Sequence, residues 1–232
     1  MIVIALMLSV LLGVFLGKYF GSQQKFAKNL LVMSAGFLIT ICINEVFPEI
    51  YGSGEHNVGI FVIAGVLLQM LLESLTKGFE HGHFHHHAED EHILPIALIV
   101  GLFVHAFIEG IPLAQEKEVF SPYLTGILFH NLPISFVLGS FLARSKTFSP
   151  KFWLVVLIFA LASPLGMWIG HYFNPEHKIY FLAVVAGIFL HISSVIIFES
   201  NKNHKMDWSK IIFVVLGIAL AMLGHLTHDH HH

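Results

Sequence analysis

Residues 93–114 read ILPIALIVGLFVHAFIEGIPLA. Apart from one imidazole, His105, and one carboxylate, Glu109, the run is apolar. It is long enough to cross a bilayer as a helix, which takes about 20 such residues. Comparable stretches recur on both sides of it. Met1–Gly17, Leu30–Tyr51 and Val58–Leu75 precede it, and Phe120–Leu142, Phe152–Tyr172, Ile179–Phe198 and Ile211–Leu226 follow. The fold class they predict is an all-α integral membrane protein, a bundle of eight transmembrane helices.

The composition agrees. The chain has 232 residues, 56% of them hydrophobic and 12% charged, with a mean hydropathy of +0.76. A soluble domain carries about 25% charged residues, so too little polar surface remains for a water-soluble globule. The hydrophobicity excludes a disordered chain. A net charge of −3 and a pI near 6.6 exclude nucleic acid as a partner. Eight spans use roughly 160 residues, which leaves short loops and predicts one polytopic membrane domain over 1–232. Cys42 stands alone, so an intramolecular disulfide or a multi-thiolate metal site is excluded. No Lys or Arg precedes the first run and no small-residue cleavage pattern follows it, so it is read as a span rather than a secretory signal.

The loops predict the orientation. Lys18, Lys25, Lys28, Lys77, Arg144, Lys146, Lys151, Lys202, Lys205 and Lys210 fall in one set of alternate loops, and only Lys117 and Lys178 in the other. Cytoplasmic loops collect Lys and Arg. The first set is therefore cytoplasmic and both termini are extracytoplasmic.

Ionisable groups at membrane depth are costly and mark function or an inward face. His105 and Glu109 are four residues apart and share one helix face. The next span contains Phe129-His130-Asn131-Leu132-Pro133, with His130 near mid-depth. The short connection makes the two helices antiparallel neighbours, so three candidate ligands converge near the bilayer centre. Pro112 and Pro133 leave the carbonyls of Ile108 and Phe129 without their helical donors. Such groups are tolerated where protein, water or a ligand meets them. Imidazole with carboxylate suits zinc, and also iron, cobalt or nickel, and three ligands leave one coordination position open. The plainer alternative is that each histidine is an interhelical hydrogen-bond partner.

At these residues the chain resembles the ZIP family of divalent-metal transporters. His105-Ala106-Phe107-Ile108-Glu109-Gly110 is similar to the family's fourth-helix His-Asn-x-x-Asp/Glu-Gly motif. His130-Asn131-Leu132-Pro133 is similar to its fifth-helix His-Glu-x-Pro-His-Glu motif. Ser34-Ala35-Gly36-Phe37-Leu38, leading to Phe47-Pro48-Glu49, and Ala186-Gly187-Ile188-Phe189-Leu190 resemble the second and seventh helices. The resemblance implies a divalent metal, zinc first and Fe2+, Mn2+, Co2+ or Cd2+ besides, carried toward the cytoplasm as substrate, with no cofactor. It implies His105, Glu109 and His130 as primary ligands, with Asn131 offering a carbonyl oxygen. The family often holds a second metal. Here Ala106, Asn131, Ile134 and Ser163 replace the Asn and acidic or imidazole ligands of that second position, so one principal site is expected. Family members often dimerise, which makes a homodimer an expectation of the resemblance alone. They are also built from an inverted repeat, of which Ala35-Gly36 and Ala186-Gly187 are a faint echo.

Further polar positions are weaker candidates. Glu45 and Glu49, with Asn44, lie at the outer end of span two, as an outer vestibule or as interfacial carboxylates. Gln69 and Glu73 in span three, and His191, Ser193, Ser194 and Glu199 in span seven, line an exit path or simply bond helix to helix. His191 is the reserve ligand. Residues 78–92, with His81, His83, His85, His86 and His87, form a His-rich cytoplasmic loop that reads as a metal-receiving or sensing segment. His225, His228 and His230 to His232 sit at the outer end.

The function expected is alternating-access transport of divalent metal, in an integral membrane protein of the cytoplasmic membrane if the chain is bacterial. Protons compete for the ligands, so flux should fall at low pH. Two other classes stand beside it. A metal-binding membrane sensor would bind without flux. An intramembrane zinc hydrolase would use Glu109 to activate water, but the chain has no His-Glu-x-x-His.

Overall fold

The computed structural model describes residues 1–21, 24–76, 96–116, 121–144, 150–199 and 208–229. Among these the chain is helical, without strands, and forms eight rods. They are α1 (Ile2–Phe20), α2 (Gln24–Ile41), α3 (Val58–Thr76), α4 (Ile96–Gly110), α5 (Pro122–Arg144), α6 (Pro150–Gly170), α7 (Lys178–Glu199) and α8 (Trp208–Asp229). The rods match the eight expected spans, with ends displaced by a few residues. Helical hydrogen bonding continues past the apolar run, as where α1 carries Lys18 to reach Phe20. Among the described residues, six rods are long and apolar enough by length and composition to cross a membrane, and α8 contains a shorter apolar helix, Trp208–Gly224. The run in α5 is interrupted by His130, Asn131, Ser135 and Ser140.

Prolines shape two of the rods. Pro48 cannot donate to the carbonyl of Asn44, and its ring crowds that group. The helix widens there: α2 continues through a π turn, Cys42–Val46, where the Phe47 N–H reaches the Cys42 carbonyl, and then through Phe47–Gly52. Beyond Gly110, α4 tightens to a 3-10 turn over Ile111–Gln115, with Pro112 at its start.

Each rod has an inner and an outer face. On α3 the buried positions are Val58, Val62, Gly65, Gln69, Leu72 and Thr76, a stripe at helical spacing. Ile60, Ile63, Leu67, Met70 and Leu71 face outward and are exposed. α1 and α8 likewise expose Leu8, Leu12, Phe15, Ile212, Val215 and Leu223. Water does not tolerate so continuous an apolar exterior, whereas lipid covers it. The chain is an integral membrane protein.

Close approach of backbones joins the rods in pairs: α1 with α5, α2 with α8, α3 with α7 and α4 with α6. Glycines stand at each crossing, on both partners. A Cβ on Gly65 of α3 would lie 2.0 Å from the Val184 carbonyl oxygen of α7, and one on Gly187 of α7 would lie 2.0 Å from that of Val62. Gly36 and Gly217 join α2 to α8 in the same reciprocal way, Gly17 and Gly139 join α1 to α5, and Gly110 and Gly166 join α4 to α6. In lipid, where no hydrophobic force drives helices together, such small-residue contacts supply the packing.

The pairs join one another along α2–α7, α2–α5, α3–α4 and α1–α6, and where α7 touches the end of α4. Exchanging α1, α2, α3 and α4 with α6, α7, α8 and α5 maps the four pairs onto one another. Gly36 and Gly187 fall at equivalent crossings, so the sequence echo of a repeat corresponds to equivalent packing.

Candidate metal centre

His105 and Glu109 lie one turn apart on the inner face of α4, and both are fully buried. His105 Nε2 is 2.9 Å from Glu109 Oε1. His130 enters from α5, its ring edge-on to that of His105 with 5.7 Å between centroids. Phe189 of α7 backs His130, at 6.2 Å between ring centroids. One candidate ligand atom from each of the three residues lies within 4.8 Å of the others. Ligand atoms around a tetrahedral zinc, bonded at about 2.0–2.2 Å, sit roughly 3.3 Å apart. His105, Glu109 and His130 are the one group of three or more His, Cys, Asp or Glu side chains so arranged among the described residues.

The local backbone fixes where these ligands stand. The 3-10 turn after Gly110 ends regular α-helical pairing, and the Tyr123 hydroxyl donates to the freed Glu109 carbonyl at 2.7 Å. Tyr123 thereby ties the C-terminal end of α4 to the start of α5. Gly110 lets α4 rest on α6, where a Cβ would stand 2.1 Å from the Ser163 carbonyl oxygen. On the other side, His105 Nδ1 lies 3.1 Å from Gln69 Oε1 of α3.

The electrostatics favour a cation. A carboxylate in an apolar interior is costly unless paired. Glu109 Oε1 faces His105, while its Oε2 accepts no hydrogen bond among the described residues. Asn131, buried beside His130 in sequence, likewise has a carbonyl oxygen without a hydrogen-bond donor among the described residues. Native interiors seldom leave such acceptors unused without a reason. Two imidazoles, a carboxylate and a spare amide oxygen form a borderline donor set of the kind that binds first-row divalent metals.

The weaker candidates stand elsewhere. Glu45 is half-buried on the π turn of α2, outside the group of three. Glu49 is exposed and pairs with Lys178 at 2.7 Å, and Asn44 Nδ2 donates to Met222 Sδ at 3.1 Å. His191 on α7 is not drawn into the group either, but pairs with Glu73 on α3 at 2.7 Å. Ala106, Ile134 and Ser163, where the resemblance leads one to expect further ligands, are buried and offer neither carboxylate nor imidazole. His81, His83, His85, His86 and His87, with the rest of 78–92, lie outside the described residues, as do His230 to His232.

Sequence reasoning did not connect Tyr123 or Phe189 with the site, since no spacing rule links either to α4. Gln69 was legible as a helix-to-helix hydrogen-bonding residue, but its partner was not.

Two relatives share part of this chain. Protein zntD of Dictyostelium discoideum is 32% identical over 108 residues, which span 40% of this chain and 16% of that protein. Probable zinc transporter 12 of Arabidopsis thaliana is 26% identical over 138 residues, 54% of this chain and 39% of that protein. The chain thus spans well under half the length of either relative. The family model described as ZIP zinc transporter matches residues 85–224, over half of the chain, with α4 to α7 and most of α8. With the apolar eight-rod bundle and the buried His-Glu-His group in α4 and α5, this match means that the chain belongs to the ZIP zinc transporter family.

Proposed function

We propose that this chain transports a divalent metal ion, zinc foremost, across the membrane into the cytoplasm, and that the ion passes through a site made by His105, Glu109 and His130. The observation that carries the reading is the convergence of three ligand atoms, within 4.8 Å, from two membrane-buried helices. Asn131 serves as a further oxygen ligand. The membership of a transporter family favours carriage over catalysis, and one of the two partial relatives is named a probable zinc transporter.

In this reading both termini are extracytoplasmic and the Lys-rich loops are cytoplasmic. Metal sheds its water at the outer side, near Glu45 and Glu49, and exchanges it for imidazole and carboxylate at the centre. Three protein ligands leave a coordination position for exchange, which keeps binding reversible. Release follows a stripe on α3, where Glu73 lies one turn below Gln69 and meets His191. The loop 78–92 receives or senses the delivered ion.

Purified protein in proteoliposomes loaded with a zinc-sensitive dye tests this. Zinc influx above protein-free vesicles is expected, with Fe2+, Mn2+, Co2+ and Cd2+ competing according to fit. Tight zinc binding without influx would instead make the protein a membrane sensor.

A further inference from the structure

We infer that Gln69 is a positioning residue for His105, one that sets which imidazole nitrogen is offered to the metal. The inference rests on the proposed function, because it takes His105 as a ligand. Gln69 lies on the buried stripe of α3 and is itself fully buried. Its Oε1 is 3.1 Å from His105 Nδ1, while His105 Nε2 faces Glu109 at 2.9 Å. A neutral imidazole has one N–H and one lone pair, and the bond made by one nitrogen decides the state of the other. With Oε1 accepting from Nδ1–H, the lone pair falls on Nε2, the nitrogen turned toward Glu109 and the centre of the group. Were the amide to donate to Nδ1 instead, the proton would sit on Nε2 and block coordination there.

The source of this bond is also informative. His105 and Glu109 stand on α4, whereas Gln69 comes from α3, a helix packed against it. The ligand's orientation is therefore set by a helix other than its own. Metal-bound histidines characteristically donate their second N–H to a fixed acceptor, and loss of that acceptor costs about 10–100-fold in affinity or activity.

The test compares zinc binding to the purified full chain across Gln69→Met, Gln69→Glu, His105→Ala and the double variant Gln69→Met/His105→Ala. Thermal unfolding of each variant reports the fold. Met fills the space of Gln but accepts no comparable hydrogen bond, while Glu keeps the acceptor and removes the amide donor. The component of binding that His105→Ala removes should weaken about 10–100-fold in Gln69→Met. It should be kept in Gln69→Glu, and the double variant should be no worse than His105→Ala alone. The KM for zinc flux should rise in Gln69→Met, whereas a packing defect would lower Vmax through loss of folded protein.

Unchanged affinity in Gln69→Met, with His105→Ala still defective, overturns the role of Gln69 and leaves the site standing. Equal loss in Gln69→Met and Gln69→Glu shows that the amide acted as a donor, and also overturns it. Binding untouched by His105→Ala overturns both the site and this inference.

Discussion

Glu109 is a carboxylate sealed in the bundle with one oxygen turned to His105 and the other unclaimed by any hydrogen bond among the described residues. Glu109→Gln removes the charge but keeps the shape. Zinc affinity should fall by more than the roughly 10–100-fold typical of an outer-shell change, while thermal stability should be held or raised, because a buried charge that is costly to desolvate is lost. Competition between zinc and a chromophoric chelator reads the first quantity and a melting curve the second. Unchanged affinity would remove Glu109 from the site. At this scale the sequence was informative where chemistry is local. The i, i+4 pair His105 and Glu109 needed only helical spacing, and His130 needed only the short connection between two spans. Gln69 was not assignable to His105, because the helices they sit on, α3 and α4, are linked through residues 77–95 and no local rule fixes their relative rotation. Glu49 was legible as a vestibule or interfacial carboxylate, but its partner, Lys178 of α7, was not.

The helical rods were legible from apolar run length, since lipid demands that backbone groups bond within each helix. Their internal breaks were only half legible. Pro112 announced the change at the end of α4, but the donor that satisfies the Glu109 carbonyl, Tyr123, comes from another element. Pro48 gave no sign that α2 would widen into a π turn before it. Which rods pair was not legible either, because glycines show where a close approach is permitted, not with whom. The crossings yield a prediction at this scale. In Gly187→Ala the new methyl carbon would stand 2.0 Å from the Val62 carbonyl oxygen, so α3 and α7 must separate. Overpacking of this kind costs about 1–3 kcal/mol, seen as a lower melting temperature. Gly59→Ala is the control, since its methyl would meet only the Tyr51 hydroxyl, at 3.7 Å, and its melting temperature should not fall. Equal behaviour of the two variants would contradict the close crossing.

Across the whole molecule, the four glycine-joined pairs give the candidate site a central position, on α4 and α5 and against α3 and α7. The His-rich segment 78–92 lies between α3 and α4 in the sequence. In the proposed reading it receives metal after passage. Replacing it with a Gly/Ser linker of equal length should therefore leave zinc flux within about twofold in proteoliposomes, a change of roughly 0.4 kcal/mol or less in the barrier. Abolished flux would move part of the transport machinery into that segment.

The central claim is that metal crosses through the His105, Glu109 and His130 group, and zinc influx into proteoliposomes carrying wild type or His105→Ala tests it most directly. Circular dichroism and melting curves should first show equal folding of the two. Wild-type influx that falls to the protein-free level in His105→Ala is the predicted result. Influx that persists undiminished in the folded variant would contradict it.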